Sequence, residues 1–427
     1  MNRAAPPQPP PDSDLPRAGE LLLPESAAVA LGGFLDRRGF ELLELRAVQA
    51  VYWPGRSCTV RYRARARRRD AERWLSLCAL TASRSRSLMP PPEDFERRFG
   101  LPDPVERQGE DVVVWAYPYD PVLAGLPDAA HGPTVRAASG LPAPAAFSVT
   151  PLRYRPRKRA VIRYMVLGGG GVREVLYGKV LRDDALRRTF DAHRALAGNG
   201  IALSRPRSFD GLDGLAVFSP IAGRSLRELL VKEAKLPSPR RVVELVHRVA
   251  AIRWRTPTDP LQQDRDVLSV GRLLAHLLPH RSGDIEDAAT DLAERAAAVA
   301  PGPTVHGDLY EGQVFVGERN GMGLIDLDDA GPGDPLLDAA NFLAHLSVLS
   351  ASVPGARRRP VAYRALLRPL ILEGLGASDA DLAWREALCM LKLATGPFRV
   401  LSARWPSRVE ARVDSALRLL NRGAIAA

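Results

Sequence analysis

Polar and apolar positions alternate toward the end of "YWPGRSCTVRY", a further strand-like stretch, "RWLSLCALTAS", follows, and then an apolar one, "DVVVWAY". A period of two is what a strand with one buried face produces. A second set follows, "YRPRKRAVIRY", "REVLYGKVLRDD" and "GLAVFSP". Tyr52 and Tyr154, Pro54 and Pro156, Arg61 and Arg163, and Tyr62 and Tyr164 each stand 102 residues apart, and Trp115 and Phe218 stand 103 apart. Self-similarity on this scale predicts a strand-rich module that occurs twice, not a short-period solenoid. The same offset of 102 sets Leu77 against Lys179, so only the second module carries a lysine within its apolar third strand.

Apolar residues then recur at helical spacing through Leu186, Phe190, His193 and Leu196. From about residue 223 the chain reads as mostly helical, in "SLRELLVKEAKL", "PRRVVELVHRVAAIRW", "VGRLLAHLLPH" and "DIEDAATDLAERAAAVA". Strand-rich segments followed by helix-rich ones predict an α+β protein. The expected divisions are a Pro-rich, disordered leader over 1–20, an N-terminal α+β domain over 21–145, a second strand-rich region over 146–222 and a helical region over 223–427.

A chain of 427 residues exceeds a single ordinary core, which agrees with that division. No apolar run is long enough to cross a bilayer. Three scattered cysteines, Cys58, Cys78 and Cys389, lack metal spacing and predict reduced core residues in a cytoplasmic protein. The net charge of +11 raises nucleic acid as a partner. The arginines are spread along the whole chain without a recognisable motif or interleaved aromatics, so nucleic acid is disfavoured.

Candidate chemistry enters with "VHGDLYEGQV" and "GLIDLDDAGPGDPLLD". Asp308 and Asp326 each follow β-prone residues, where a carboxylate is costly to bury unless something holds it. A lysine in one region and two aspartates at strand ends in another are the parts that grip a Mg-nucleotide. Arg157, Lys158 and Arg159, in the basic turn of the second module, are the phosphate-facing candidates, whereas the tetraglycine Gly168–Gly171 reads as a hairpin turn.

These two motifs, in this order, resemble the aminoglycoside phosphotransferase and choline kinase-like family, small-molecule relatives of the protein kinases. The resemblance implies a two-lobed protein-kinase-like fold, with an antiparallel-sheet N-lobe and a mostly helical C-lobe. The N-terminal domain then looks like a degenerate copy of the N-lobe. Asp308 matches the catalytic aspartate, Asp326 the metal-binding aspartate and Lys179 the phosphate-contacting lysine. His306, Asp334 and Asp338 match supporting positions, although Asp334 and Asp338 also read as helix caps. Val217, Phe218 and Ser219 fall at the hinge whose backbone meets the adenine edge. The resemblance implies ATP or GTP and Mg²⁺ as cofactors. Two positions depart from the family: Gln313 stands where a second metal ligand is usually Asn, and Asp191 is the nearest candidate for the usual Glu partner of the lysine.

The expected activity is Mg-ATP-dependent phosphorylation of a hydroxyl on a small metabolite. Residues 339–427 hold 13 Lys and Arg against 6 Asp and Glu. That balance favours a sugar or related metabolite over a polycationic aminoglycoside. Phe398, Arg399 and Trp405 are candidates to line its pocket, although ordinary helix packing accounts for them better, and Asn341 and His345 read as packing residues. The alternative is a catalytically impaired pseudokinase that binds a nucleotide or a partner.

Overall fold

The computed structural model describes residues 7–83, 88–139, 146–168, 171–207, 211–232, 235–254, 263–300, 302–317, 321–353, 355 and 357–425. The chain divides into two compact units. The first comprises residues 1–186, 207–219 and 396–407, and the second comprises residues 187–206, 220–395 and 408–427.

The first unit is built on two five-stranded sheets. One contains β1 (Glu41–Trp53), β2 (Ser57–Arg68), β3 (Ala71–Ala82), β4 (Val105–Gln108) and β5 (Val112–Ala116), in the order β1-β2-β3-β5-β4. The other contains β6 (Ala146–Arg155), β7 (Arg159–Gly168) and β8 (Gly171–Val180). The short strand β9 (Ala202–Leu203) comes next in the chain but lies in the second unit. It is followed by β10 (Pro206–Arg207) and β11 (Leu215–Phe218), and the second sheet runs β6-β7-β8-β11-β10. The two orders are the same. Alternation drives both sheets: Val60, Tyr62, Ala64 and Ala66 point into one core, and Ala160, Ile162, Tyr164 and Val166 into the other.

Strand pairing corrects the match between Leu77 and Lys179. Tyr62 pairs with Leu77, whereas the equivalent Tyr164 pairs with Leu176. Lys179 pairs with Val161, whose counterpart Thr59 pairs with Leu80. Leu80 is therefore the residue in the lysine's place, because the β7–β8 hairpin is three residues shorter than the β2–β3 hairpin. Gly168 pairs with Gly171 at the end of that hairpin, and Gly169 and Gly170 lie outside the described residues.

The expectation of a disordered leader also needs correction over residues 7–20. Residues 17–22 form a helix, and Leu15, Ala18, Leu21 and Leu22 are buried. Asp12 accepts from the Tyr52 hydroxyl at 2.7 Å and from Gly55 N–H at 2.8 Å. Apolar spacing and one carboxylate thus tie down a segment whose prolines suggested extension. The segment 396–407 differs from expectation too, because it belongs to the first unit rather than to the helical region. Phe398 stacks edge-on against Trp405, and the Trp405 indole N–H donates to the Pro7 carbonyl at 2.8 Å.

The second unit is mostly helical, with long helices over Gln263–Leu277, Ser282–Ala297, Pro335–Ser352, Arg358–Leu375 and Asp379–Ala394. Short strands Thr304–Val305, Val314–Val316 and Met322–Leu324 carry the acidic motifs among them. The α+β class and the order of sheet followed by helices agree with expectation. All three cysteines are free and buried. No helix among the described residues is long and apolar enough to cross a membrane.

Candidate active site

In the second unit, two strand ends bring Gln313 and Asp326 together. Val314 pairs with Leu324, and the Ile325 N–H donates to the Gln313 carbonyl at 3.1 Å. That register sets Gln313 beside Asp326, and the Gln313 Nε2 donates to Asp326 Oδ2 at 3.0 Å. Asp326 itself has φ of 63°, a left-handed conformation that non-glycine residues seldom adopt and that recurs at functional sites.

The loop carrying Asp308 is pinned from two sides. Asp338, buried at the start of the helix Pro335–Ser352, accepts from His306 N–H at 2.7 Å and Gly307 N–H at 3.0 Å. His306, fully buried, faces the Ile325 carbonyl through Nε2 at 2.9 Å and the Asp308 N–H through Nδ1 at 3.4 Å. The carbonyl oxygen calls for a donor at Nε2, and the ring as a whole ties the Asp308 loop to the strand that precedes Asp326. Gly307 has φ of 82°, and a Cβ there would fall 2.0 Å from the Asp329 carbonyl oxygen. Only glycine allows this close approach.

Asp308 is part-buried, and its carboxyl is pushed up to about 6. Burial is the main cause, and the neighbouring charges of Asp329 and Asp326 add to it. His306 opposes the shift, and so does the Asn341 amide, which donates to Asp308 Oδ1 at 3.3 Å and to the Leu309 carbonyl at 3.1 Å. Asn341 was read as packing. The signal that would have found it is its place one helical turn beyond Asp338, facing the same loop.

Asp334 caps the same helix, accepting from Leu336 N–H at 2.9 Å, and its other oxygen accepts from Arg385 Nε at 2.5 Å. Glu311 was missed altogether. It is fully buried, paired through Oε1 with Arg227 at 2.8 Å, and burial pushes its carboxyl up. His345 stacks on Tyr310 with ring centroids 4.2 Å apart, and its imidazole is pushed down to about 3, mainly by burial. Both observations are consistent with packing for His345. Asp191 is salt-bridged to Arg194 on its own helix.

In the first unit, Lys179 lies mid-sheet, paired with Val161 on one side and Ala216 on the other. Val217 and Phe218 continue that edge opposite Gly178 and Tyr177, and Ser219 follows the strand. The basic turn is built on a residue that sequence reading did not identify. Asp120, 1% exposed, accepts through Oδ2 from the Tyr154 hydroxyl at 2.7 Å and from Arg157 N–H at 2.8 Å. Its Oδ1 accepts from the N–H groups of Val122 and Leu123 at 2.9 and 3.1 Å. Arg157 has φ of 62°, and Lys158 and Arg159 complete the turn.

Two carboxylates and an amide oxygen are hard donors, a set suited to a divalent cation such as Mg²⁺. Among the described residues, no group of three or more His, Cys, Asp and Glu side chains is placed to hold a metal by itself. Any metal here would need the Gln313 amide or the substrate to complete its shell.

Residues 176–370 match the family model APH, the phosphotransferase enzyme family. The family recognised from the two motifs is the family matched. No curated protein matches the chain. Among solved structures, a choline/ethanolamine kinase family protein from Mesorhizobium loti is 15% identical, with 69% of this chain and 97% of that one covered and a TM-score of 0.49. Choline kinase LicA from Streptococcus pneumoniae is 15% identical, with 64% and 93% covered and a TM-score of 0.43. Amicoumacin kinase hAmiN in complex with AMP-PNP, Ca²⁺ and Ami is 15% identical, with 63% and 88% covered and a TM-score of 0.46. At this level of similarity none of the three speaks for a substrate.

Proposed function

We propose that the protein transfers the γ-phosphoryl group of ATP to a hydroxyl of a small, neutral or anionic metabolite, a sugar or a relative of one. The observation that carries this reading is Asp308. Its carboxyl is pushed up to about 6 by burial, and it sits in a loop fixed through His306, Gly307 and Asn341. A base poised near neutrality and held in place suits the removal of a hydroxyl proton as the new bond forms.

In this mechanism the acceptor oxygen attacks the γ-phosphorus, the bond from phosphorus to the β–γ bridging oxygen breaks, and ADP leaves. The hydroxyl proton passes to Asp308 and then to solvent. Asp326 and Gln313 would hold Mg²⁺, which supplies charge neutralisation on the phosphate oxygens. Lys179 and the turn of Arg157, Lys158 and Arg159 contact phosphates, with Asp120 fixing the backbone of that turn. Backbone groups of Val217, Phe218 and Ser219 meet the base of the nucleotide. Asp191 is the candidate to orient Lys179. His306, Asp334 and Asp338 hold the segments that carry the two aspartates.

A second reading, a nucleotide-binding pseudokinase, draws on Gln313. Its assigned orientation turns Nε2, not the coordinating oxygen, toward Asp326. Calorimetric titration of ATP with and without Mg²⁺, on wild type and Asp326→Ala, separates the two. Binding that requires Mg²⁺ and is lost in the variant supports phosphotransfer and justifies screening hydroxylated metabolites. Metal-independent binding, indifferent to the substitution, supports the pseudokinase. Absence of any binding would sink both.

A further inference from the structure

Within the first unit a cavity of about 470 Å³ opens where the β1–β2–β3 face meets β6 and the segment Gly396–Val400. Arg61, Arg153, Arg155 and Arg399 line it, and among the described residues no carboxylate does. Asp120 stands behind Tyr154, and its charge is already met by four donors. Two residues of the wall, Ser76 and Tyr117, carry hydroxyls that are buried and find no hydrogen-bond partner. Native structures seldom leave such groups unsatisfied, and each such hydroxyl is a cost until a ligand or water meets it. Val48 and Leu152, where β1 and β6 bulge out of register with their partners, form part of the rim. Bulges favour sites where a side chain must be re-aimed.

We infer that this cavity binds the phosphate ester of a small hydroxylated molecule. Four arginines line one space, and the planar fork of N–H donors that each carries matches phosphate oxygens bidentately. Ser76 and Tyr117 offer hydroxyls to the alcohol groups of such a ligand, and Val48, Leu152 and Val400 give it an apolar wall. The volume lies in the range of about 300–1,000 Å³ typical of small-molecule sites. Bound ligand also reaches the basic turn in one step, since Tyr154 lines the cavity and its hydroxyl bonds Asp120, which holds Arg157 N–H. That link makes the site a candidate regulator of the proposed phosphotransfer, although binding itself does not depend on catalysis.

The test is calorimetric titration of the full chain, without nucleotide or Mg²⁺, with glycerol 3-phosphate and with inorganic phosphate. The ester is expected to bind more tightly than phosphate alone. Combining Arg153→Ala with Arg399→Ala should weaken it at least ~10-fold, while Asp326→Ala and Lys179→Ala leave it unchanged. Tyr117→Phe provides a readout that does not risk the fold. It should weaken ester binding several-fold and raise the melting temperature of the free protein, because it deletes an unsatisfied buried hydroxyl. The inference is overturned if neither ligand binds at about 10 mM. It is equally overturned if binding is lost in Asp326→Ala or Lys179→Ala but kept in the arginine variant, which would place the anion at the phosphotransfer residues. A Tyr117→Phe protein that melts lower and binds as before would return the hydroxyl to a structural role.

Discussion

The hydroxyl of Tyr154 donates to the carboxylate of Asp120 at 2.7 Å, and that carboxylate also takes the N–H of Arg157, a residue with positive φ. The arrangement recurs in the other sheet, where Tyr52 donates to Asp12 and Asp12 takes the N–H of Gly55, also at positive φ. Tyr52 and Gly55 stand 102 residues before Tyr154 and Arg157. One device therefore holds both turns: a carboxylate from a distant segment satisfies a backbone N–H that the tight turn leaves unpaired.

Removing the Tyr154 hydroxyl tests whether the turn contacts phosphate. Tyr154→Phe deprives buried Asp120 of one donor and the Trp115 indole N–H of its acceptor at 3.0 Å. A loss of about 1–3 kcal/mol of stability is expected. In a steady-state assay the KM for ATP should rise with kcat nearly unchanged. Tyr52→Phe is the control, expected to cost stability without moving KM.

Asp308→Asn should abolish turnover and stabilise the protein at the same time. The folded carboxyl titrates near 6, above its unfolded value, so the folded state binds the proton more tightly. Its stabilising contribution is complete below about pH 4 and is lost as pH rises through 6. At pH 8 the wild-type protein carries a penalty of about 2–3 kcal/mol that the amide lacks. Melting curves at pH 4.5 and pH 8 check the sign: the variant should gain at the higher pH and much less at the lower.

Asn341→Ala reads the role of the residue missed in the sequence. The amide lowers the Asp308 pKa by donating to Oδ1, so its loss should move the acidic limb of kcat/KM to higher pH. A fall in kcat of about 10–100-fold with unchanged ATP affinity is expected. A rise in KM for ATP with the pH profile unmoved would reduce Asn341 to packing.

What was legible in the sequence was local. The motifs around Asp308 and Asp326 are short, contiguous and tied to strand ends, so they could be read as motifs and matched to a family. The repeated module was visible because Tyr-x-Pro and Arg-Tyr survive at a constant offset. A constant offset fails where a hairpin changes length, and the three-residue difference between β2–β3 and β7–β8 misplaced Leu77 against Lys179. Asp12, Asp120 and the 396–407 segment were not legible, since each acts on chain that is remote in sequence and leaves no periodic trace. Glu311 was hidden for another reason: its partner Arg227 lies 84 residues away, in a helix whose own pattern is unremarkable.

Glu311 supports a last prediction. Its side chain is fully buried, one oxygen is held by Arg227, and the other has no partner. Burial disfavours the charge, and Arg227 is what keeps it tolerable. Arg227→Met keeps the aliphatic stem and removes the charge, leaving a buried carboxylate alone. Breaking a fully buried pair costs about 3–5 kcal/mol, and the half-exposed Arg227 reduces this to roughly 2–3. The carboxyl can escape by taking a proton, so the loss should be smaller at pH 5 than at pH 8. Because Arg227 N–H also bonds the Glu311 carbonyl, the backbone of the Asp308 loop stays anchored in the variant. Activity per folded molecule should therefore survive while the melting temperature falls, and a variant that melts normally at pH 8 would show that the pair contributes nothing.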